Sequence, residues 1–559
     1  MKEKLIHILV VACFAALFYV NSFGNFFVWN DWTLIIENFL IRDWTNLPEI
    51  FTSAFWKPLI GEPSQVYRPL VSVSFMADFA LWRLQPWGYH LTNVSFHVAN
   101  SILAYFLMRV YTSPTIALMG SVLFAVHPIH TEAVTYISGR GELLMSFFLL
   151  SGTLLFLKSG RHKSWLFYLA SLPAFFLALL SKEPAAIFPL LLLSADVAAF
   201  PSSWRNNPWR QSARQLGPLF VLGLFYLGQM LLVGITATGH PFSAPSFSDH
   251  FVLTLKAISL CLGLLLFPLN LHFLHPFGAS SPLDFLVALS LALLVAAGWG
   301  LRYAARTDCP AATFGISWFV IGLLPLVYYI GLRISLLEGW IYLPSLGFVL
   351  LVALGLDSLK RWTPSGAPLW LTLWIAVMLG GVTFYRNRDW KDDMEISLHT
   401  IAASPNNPLA LRLAGNAYMR HGNTPEAEKM FQKGLGLAPA DPGLHRSLAA
   451  AYRFMGKEAD AVTHYQEALK STLEEPYAYW LLGHYYLRRG KLVEAEKYFS
   501  EAVRKFPYSS ELHSDLARAH HLQGNLAAAE TELRAALRIS PYSTVLKTNL
   551  ETILSQRKP

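Results

Sequence analysis

Three polar clusters stand out in an otherwise apolar chain. The first centres on Asp31, in FFVWNDWTLIIENFLIRDW, just after an apolar run. A carboxylate at a membrane edge can take the proton of a hydroxyl that attacks a lipid-linked substrate. Its neighbour Asn30 can hydrogen-bond but cannot accept that proton. Glu37 is the fallback base, about two turns on if the segment is helical. The second cluster is HPIHTEAVTYISGRGELL (127–144), with His127, His130, Glu132, Arg140 and Glu142. The third is the tight SKEPA turn (181–185), with Lys182 and Glu183. Ionisable groups at mid-membrane cost about 2.5–3.5 kcal/mol each, so they tend to be functional or paired. Between the first two clusters, YRPLVSVSFMADFALW and WGYHLTNVSFHVAN add Arg68, His90 and Asn93.

Plainer roles stand beside these. Asp31 could cap a helix. His97, His240 and His275 fit packing or hydrogen bonding near an interface. Trp29, Trp32, Trp44, Trp56, Trp82 and Trp87 could anchor the chain at the interface or stack on sugar faces. His127 and His130 have a zinc-like spacing, but Pro128 between them and the lack of a third clear ligand argue against zinc. Cys13, Cys261 and Cys309 lie in or beside apolar runs and form no metal or disulfide pattern. There is no phosphate-binding glycine loop and no nucleophile elbow, which leaves nucleotide-driven transport and serine hydrolysis without support.

The elements that must position these clusters are membrane helices. The chain has 559 residues, 54% hydrophobic and only 14% charged, against about 25% charged in soluble proteins. This composition excludes disorder, collagen and a secreted disulfide scaffold. Apolar runs of spanning length, or nearly so, fall at 5–20, 91–110, 115–127, 141–157, 165–180, 184–200, 216–234, 283–300, 311–331, 339–357 and 367–385. The first, preceded by Lys2 and Lys4, reads as an uncleaved span because no convincing small-x-small cleavage site follows.

Loop charge sets the orientation. Lys2, Lys4, Arg109, Lys158, Arg161, Lys163, Arg205, Arg210, Arg214, Arg302, Arg306, Lys360 and Arg361 fall in one set of alternating loops. The opposite short loops hold only Arg140, Lys182, Lys256 and Arg333. The basic side faces the cytoplasm. That requirement, and the FPLNLHFLHPF sequence at its end, make 251–268 a re-entrant or interfacial helix. The expectation is about eleven spans, with all three clusters and everything after about residue 386 outside the cytoplasm; a twelve-span count would put the carboxy-terminal part inside. The same rule explains the net charge of +8 without nucleic acid.

Beyond YRNRDWKDD (385–393) the chain turns polar and alanine-rich, and positions recur every 34 residues: Tyr418, Tyr452, Tyr486 and His520; Ala427, Ala461, Ala495 and Ala529; Phe431, Tyr465, Phe499 and Leu533. This resembles the tetratricopeptide repeat, with units starting at 408, 442, 476 and 510 and a capping segment at 544–557. The concave face of such a stack would carry Arg412, Asn416, Arg420, Arg446, Arg453, Trp480, His484, Arg488, Arg518 and His521, with Glu511 as the acidic exception. A basic groove of this kind favours acidic or polar peptides, unless the arginines are only a solvated face. The fold class is all-α: a polytopic domain at 1–386 whose first large loop is 24–90, a linker or helix at 387–407, and the repeats at 408–559.

The succession of an acidic first loop, YRPL, GYHLTN, HPIHTEAV, GRGELL and KEPA followed by repeats resembles the transmembrane and tetratricopeptide-repeat protein O-mannosyltransferases and their bacterial relatives, membrane glycosyltransferases of the GT-C fold. GWIYLPSLGF (339–348) also resembles a family motif, although the family's acidic-arginine pair is here Glu338 followed by Gly339. The family's acidic pair after FVW is here Asn30-Asp31. The resemblance implies a polyprenyl-phosphate sugar donor, with mannose favoured, a protein hydroxyl as acceptor, and direct displacement with inversion. It makes Asp31 the base. Arg68, His90, Arg140 and Lys182 become candidates for phosphate or donor contacts. His127, His130, Glu132 and Glu142 become candidates for donor positioning or a divalent ion, with Asn30, Glu37, Asn93 and Glu183 as further site residues. The repeats would recruit the acceptor, in the periplasm of a bacterial inner membrane. Two competitors fit the same hydropathy: a membrane-anchored scaffold without activity, and a transporter or oligosaccharide polymerase.

Overall fold

The structure, a computed structural model, describes residues 2–557 apart from 53–65, 163, 201–216, 218, 220–221, 225, 229–246, 270, 277–283, 328–334, 471–475, 508 and 541–542. Most of the span expected at 216–234 lies outside the described residues, as do Trp56, Lys163, Arg205, Arg210, Arg214, His240 and Arg333. The chain forms two compact units, one running to Ser404 and one that begins its main body at Pro405.

The first unit is helical. Its helices are α1 (Lys2–Leu17), α2 (Leu47–Thr52), α3 (Pro69–Trp82), α4 (Pro86–Tyr111), α5 (Pro114–Val126), α6 (Thr131–Thr135), α7 (Arg140–His162), α8 (Trp165–Ser181), α9 (Phe188–Ala199), α10 (Phe247–Leu266), α11 (Phe285–Arg306), α12 (Pro310–Gly322), α13 (Tyr342–Ser358), α14 (Ala367–Arg386) and α15 (Asp393–Ala403). Among the described residues, the one departure from all-α is a two-residue antiparallel pairing, His275 with Leu336 and Pro276 with Ser335. Proline opens several of these helices, where its missing N–H costs nothing. Ser113 caps α5 by accepting from the Ile116 amide.

Among the described residues, eight helices are long and apolar enough to cross a membrane, or nine if the pair bent by 49° at residue 127 counts as one span. The expected eleven includes the run at 216–234, most of which lies outside the described residues. The runs at 165–180 and 184–200 appear as shorter helices of 17 and 12 residues. The run at 251–268, expected to be re-entrant or interfacial, forms one of the eight by length and composition.

The core gathers α1, α4, α5, α7, α9, α12 and α13 around residues such as Val11, Tyr105, Val122, Leu149, Leu191, Trp318 and Leu350. Here α1 is a packed element, with Val11 and Ala15 fully buried. Helices α12 and α13 approach until a β-carbon on Gly347 would sit 2.4 Å from the Gly315 carbonyl oxygen. Without a hydrophobic drive between helices in lipid, such close packing by small residues supplies the contact energy. The stretch expected as a linker or helix, 387–407, contains α15 and belongs to this first unit as far as Ser404.

The second unit is a stack of helix pairs: α16 (Pro408–Arg420) with α17 (Thr424–Leu437), α18 (Pro442–Phe454) with α19 (Glu458–Leu469), α20 (Pro476–Arg488) with α21 (Leu492–Lys505), and α22 (Ser510–Leu522) with α23 (Leu526–Ile539), followed by α24 (Thr544–Arg557). Each pair turns on a glycine with positive φ: Gly422, Gly456, Gly490 and Gly524, at 75°, 75°, 72° and 80°. Only glycine takes that conformation without strain, so it recurs with the period of the fold. The repeating Ala427, Ala461, Ala495 and Ala529 are buried, as are Phe431, Tyr465, Phe499 and Leu533.

Candidate active site

The turn at Trp29–Asp31 is built by residues from both ends of the first unit. Trp29 has φ 47°, uncommon for a bulky side chain. Its amide donates to Asp393 Oδ1 at 2.7 Å. Its ring packs on Phe273 at 3.9 Å and Trp390 at 5.8 Å between centroids, and Tyr136 stacks on Trp390 at 5.0 Å. The amide of Phe26 donates to the Lys391 carbonyl at 2.8 Å. The segment 390–393, directly after α14, is thus the back wall of this turn.

Asp31 is fully buried. Its Oδ2 accepts from the Val28 amide at 3.0 Å. Its Oδ1 accepts from the Ser138 amide at 2.9 Å and from the Ser138 hydroxyl. Burial pushes the carboxyl up to about 7, against the opposing pull of these hydrogen bonds and with a small further rise from Asp393. Asp31 precedes the turn Trp32–Ile36 but makes no capping hydrogen bond, which rules out the helix-cap role. Asn30 and Glu37 are exposed.

Arg140 lies in a closed network. Its guanidinium pairs with Asp78 at 2.7 Å, donates to the Tyr89 carbonyl at 3.0 Å, donates through Nε to Asn93 Oδ1, and stacks over Phe75. Asn93 in turn donates to the carbonyls of Val134 and Tyr136, each at 3.1 Å. Arg140 is 0% exposed. Arg140, expected to contact a donor phosphate, here clamps α3, α4 and the 134–137 turn together, and Asn93 belongs to the same clamp. Asp78 is the partner that sequence reading missed. It lies inside an apolar helix, where its only signal was being a charge on a buried face.

The histidines are also placed differently from expectation. His127 accepts from the Ile129 amide and points Nε2 at the Leu265 carbonyl, 3.0 Å away. His130 bonds Ser345 Oγ at 2.8 Å among the rings of Phe124 and Tyr342. The two rings lie 5.9 Å apart between centroids and bond different partners. Among the described residues no group of three or more His, Cys, Asp or Glu is arranged to hold a metal. His90 is buried, with its ring against the backbone of Asn25 and Thr135.

The remaining charges form a row of buried or half-buried pairs. Arg68 meets Glu183 at 2.7 Å, with side chains 19% and 18% exposed. Lys182 pairs with Glu142. Glu132 accepts from the Gly339 amide at 3.0 Å. A β-carbon at Gly339 would lie 3.1 Å from Glu132 Oε1 and 3.7 Å from Glu142 Cγ, so the two acids flank one glycine. Next to it, fully buried Glu338 is held by Arg386 at 2.6 Å and His275 at 2.9 Å. Arg386, from the end of α14, supplies the arginine that does not follow Glu338 in sequence. Glu142, Pro184, Trp340 and Leu343 line a small cleft of about 310 Å³, counting its open mouth.

In the repeats, Arg412, Asn416, Arg446, Arg453, Trp480, His484, Arg488 and Arg518 all lie on the first helices of their pairs. Arg453, Arg488 and Arg518 are exposed and the others half-buried. Asp515 of α22 accepts from Trp480 Nε1 at 2.6 Å and meets His484 Nε2 at 2.9 Å. The face is less uniformly basic than the sequence suggested.

These elements define a class: an integral membrane protein with a helical domain joined to a tetratricopeptide array. The family model for dolichyl-phosphate-mannose-protein mannosyltransferase matches residues 77–227, and two tetratricopeptide-repeat models match 446–510 and 486–543. The chain is 27% identical over 450 residues to the protein O-mannosyl-transferase F38B6.6 of Caenorhabditis elegans, covering 77% of this chain and 62% of that protein. It is 26% identical over 471 residues to human protein O-mannosyl-transferase TMTC3, covering 76% and 50%. The resemblance to the transmembrane and tetratricopeptide-repeat O-mannosyltransferases thus extends over three quarters of the chain, while the chain spans between half and two thirds of these relatives' length. Among solved structures, the crystal structure of MamA matches 26% of this chain and 86% of its own at 20% identity, with a TM-score of 0.25.

Proposed function

We propose that this chain is an inverting GT-C protein O-mannosyltransferase that moves mannose from a polyprenyl-phosphate donor to Ser or Thr hydroxyls of exported proteins. The observation that carries the reading is the Asp31 carboxylate: buried at the first-loop turn, with its proton affinity raised to about 7. A base is most effective when its pKa lies near the working pH. The acceptor oxygen attacks the anomeric carbon, the bond from that carbon to the phosphate oxygen breaks, and the leaving phosphate keeps the electron pair. The acceptor proton ends on Asp31. Arg68 and Lys182 receive the phosphate charge by exchanging Glu183 and Glu142 for it, which places the donor head group beside the Glu142–Trp340 cleft. Glu132 and Glu338, fixed by Gly339 and Arg386, hold that wall in place.

The repeats recruit the acceptor through the face that carries Arg453, Arg488, Arg518 and Trp480. On the loop-charge reading, with 251–268 not crossing, this face and Asp31 share one compartment, the periplasm of a bacterial inner membrane.

The test compares hexose on exported proteins, by mass spectrometry, in cells carrying the wild type or Asp31→Asn. Loss of the hexose with unchanged membrane abundance is expected; its persistence overturns Asp31 as base. A second reading, a peptide-binding scaffold without activity, draws on the full burial of Asp31. It expects Asp31→Asn and Arg68→Ala together to leave the exported glycoproteins unchanged.

A further inference from the structure

A base with no exposed surface raises a question of access. Both Asp31 oxygens are occupied, Oδ2 by the Val28 amide and Oδ1 by the Ser138 amide and hydroxyl. Of these three donors only the hydroxyl can pass a proton on, since neither amide exchanges its hydrogen during catalysis. Ser138 is itself half-buried, and Asn30 beside Asp31 is exposed. The serine hydroxyl is therefore the one exchangeable donor on the carboxylate, and it belongs to a residue that is itself partly exposed.

The other titratable groups facing Asp31 are Tyr136 and Asp393. Burial holds the Tyr136 phenol proton well above its ordinary range, so Tyr136 does not take the acceptor's proton. Asp393 is engaged by the Trp29 amide.

The serine is also well placed to hold its position. It sits in the single turn Ile137–Gly139, ahead of the clamped Arg140. A β-carbon at Gly139 would come within 2.7 Å of the carbonyl oxygens of Glu132 and Ala133, so the turn closes tightly on the preceding helix.

We propose that Ser138 is the proton relay between the acceptor hydroxyl and Asp31. This rests on the reading of Asp31 as base. As the acceptor oxygen bonds to the anomeric carbon, its proton moves to Ser138 Oγ, and the proton already on Oγ moves to Asp31 Oδ1. The carbon–oxygen bond to the lipid phosphate breaks at the same time, and the phosphate leaves with the electron pair. Ser138 ends with one proton, as it began; Asp31 holds the other until it returns to water by the same route.

The test uses the full-length protein in membranes, with polyprenyl-phosphate-mannose and an acceptor peptide. Ser138→Ala, Ser138→Thr and Asp31→Asn are compared with the wild type across pH. Ser138→Ala is expected to lower kcat about 100-fold, the scale of one lost proton-transfer path, with the donor KM unchanged. Its remaining activity is expected to have an acidic limb displaced to higher pH, because a hydrogen bond that favours the ionised carboxylate is gone. Ser138→Thr keeps the hydroxyl and is expected to recover most of the rate. A purely structural serine would make both variants follow thermal stability instead. Wild-type kcat in Ser138→Ala, or loss of transfer in both serine variants at wild-type stability, overturns the relay while leaving Asp31→Asn to judge the base alone. Transfer by Asp31→Asn removes the base and the relay with it.

Discussion

The charges of the first unit and those of the repeats are used in opposite ways. In the first unit several charged partners are far apart in sequence and buried: Arg140 with Asp78, Arg386 with Glu338, Lys182 with Glu142. In the repeats many pairs are three apart on one helix and exposed, such as Lys429 with Glu426, Lys470 with Glu467 and Arg504 with Glu501. A pair in water gains little beyond what each ion already has from solvent. A buried pair has lost that solvation, so removing one member strands the other. The first kind of pair holds a site together, whereas the second decorates a surface whose architecture rests on small and aromatic residues.

Breaking Arg140 should have the largest effect. Arg140→Leu leaves Asp78 buried without its partner, and a loss of about 3–5 kcal/mol is expected, read as collapse of the folded fraction in detergent. Unchanged thermal stability would place the clamp among the decorative pairs. In the repeats, Gly422→Val forces a β-branched residue into φ 75°. About 1–2 kcal/mol is expected, measured by the helical circular dichroism melt of the full chain; no shift would mean the turn does not set the repeat.

A finer distinction concerns pH. Transfer should rise as pH increases through about 7, because Asp31 must be ionised to accept a proton. A flat profile there would remove the raised proton affinity from the mechanism. Asp393→Asn keeps an acceptor for the Trp29 amide but removes a negative charge facing Asp31. The acidic limb should then move to lower pH, by less than about one pH unit. Movement in the other direction would show that Asp393 acts on Asp31 by some path other than its charge. The smallest effect belongs to Lys429→Ala: loss of this exposed pair should leave the melting curve unchanged within error.

Different parts of the molecule were legible for different reasons. The repeats could be read because their contacts are periodic: the glycine at each turn and the alanine at each helix crossing recur every 34 residues. Asp31, Lys182, Glu183, Glu132 and Glu142 were legible as polar residues interrupting apolar runs. Their partners were not. Asp78 lies in a stretch read as part of the first large loop, Ser138 looks like any loop serine, and Arg386 and Asp393 lie in the stretch where composition changes. Composition changes at residue 386, but packing continues to Ser404. Polarity marks contact with water, not the end of a fold.

What the sequence determined by itself is whatever depends on neighbours within a turn or two: apolar runs, proline starts, capping residues and the 34-residue period. Hydropathy and local sterics act over that range. Only the tertiary structure decided that Arg140 is a clamp, that the two histidines bond different partners, and that Asp31 is buried beneath Ser138. Each of these outcomes is set by the loss of water around a charge when distant segments close over it, and no local pattern records which segments those will be.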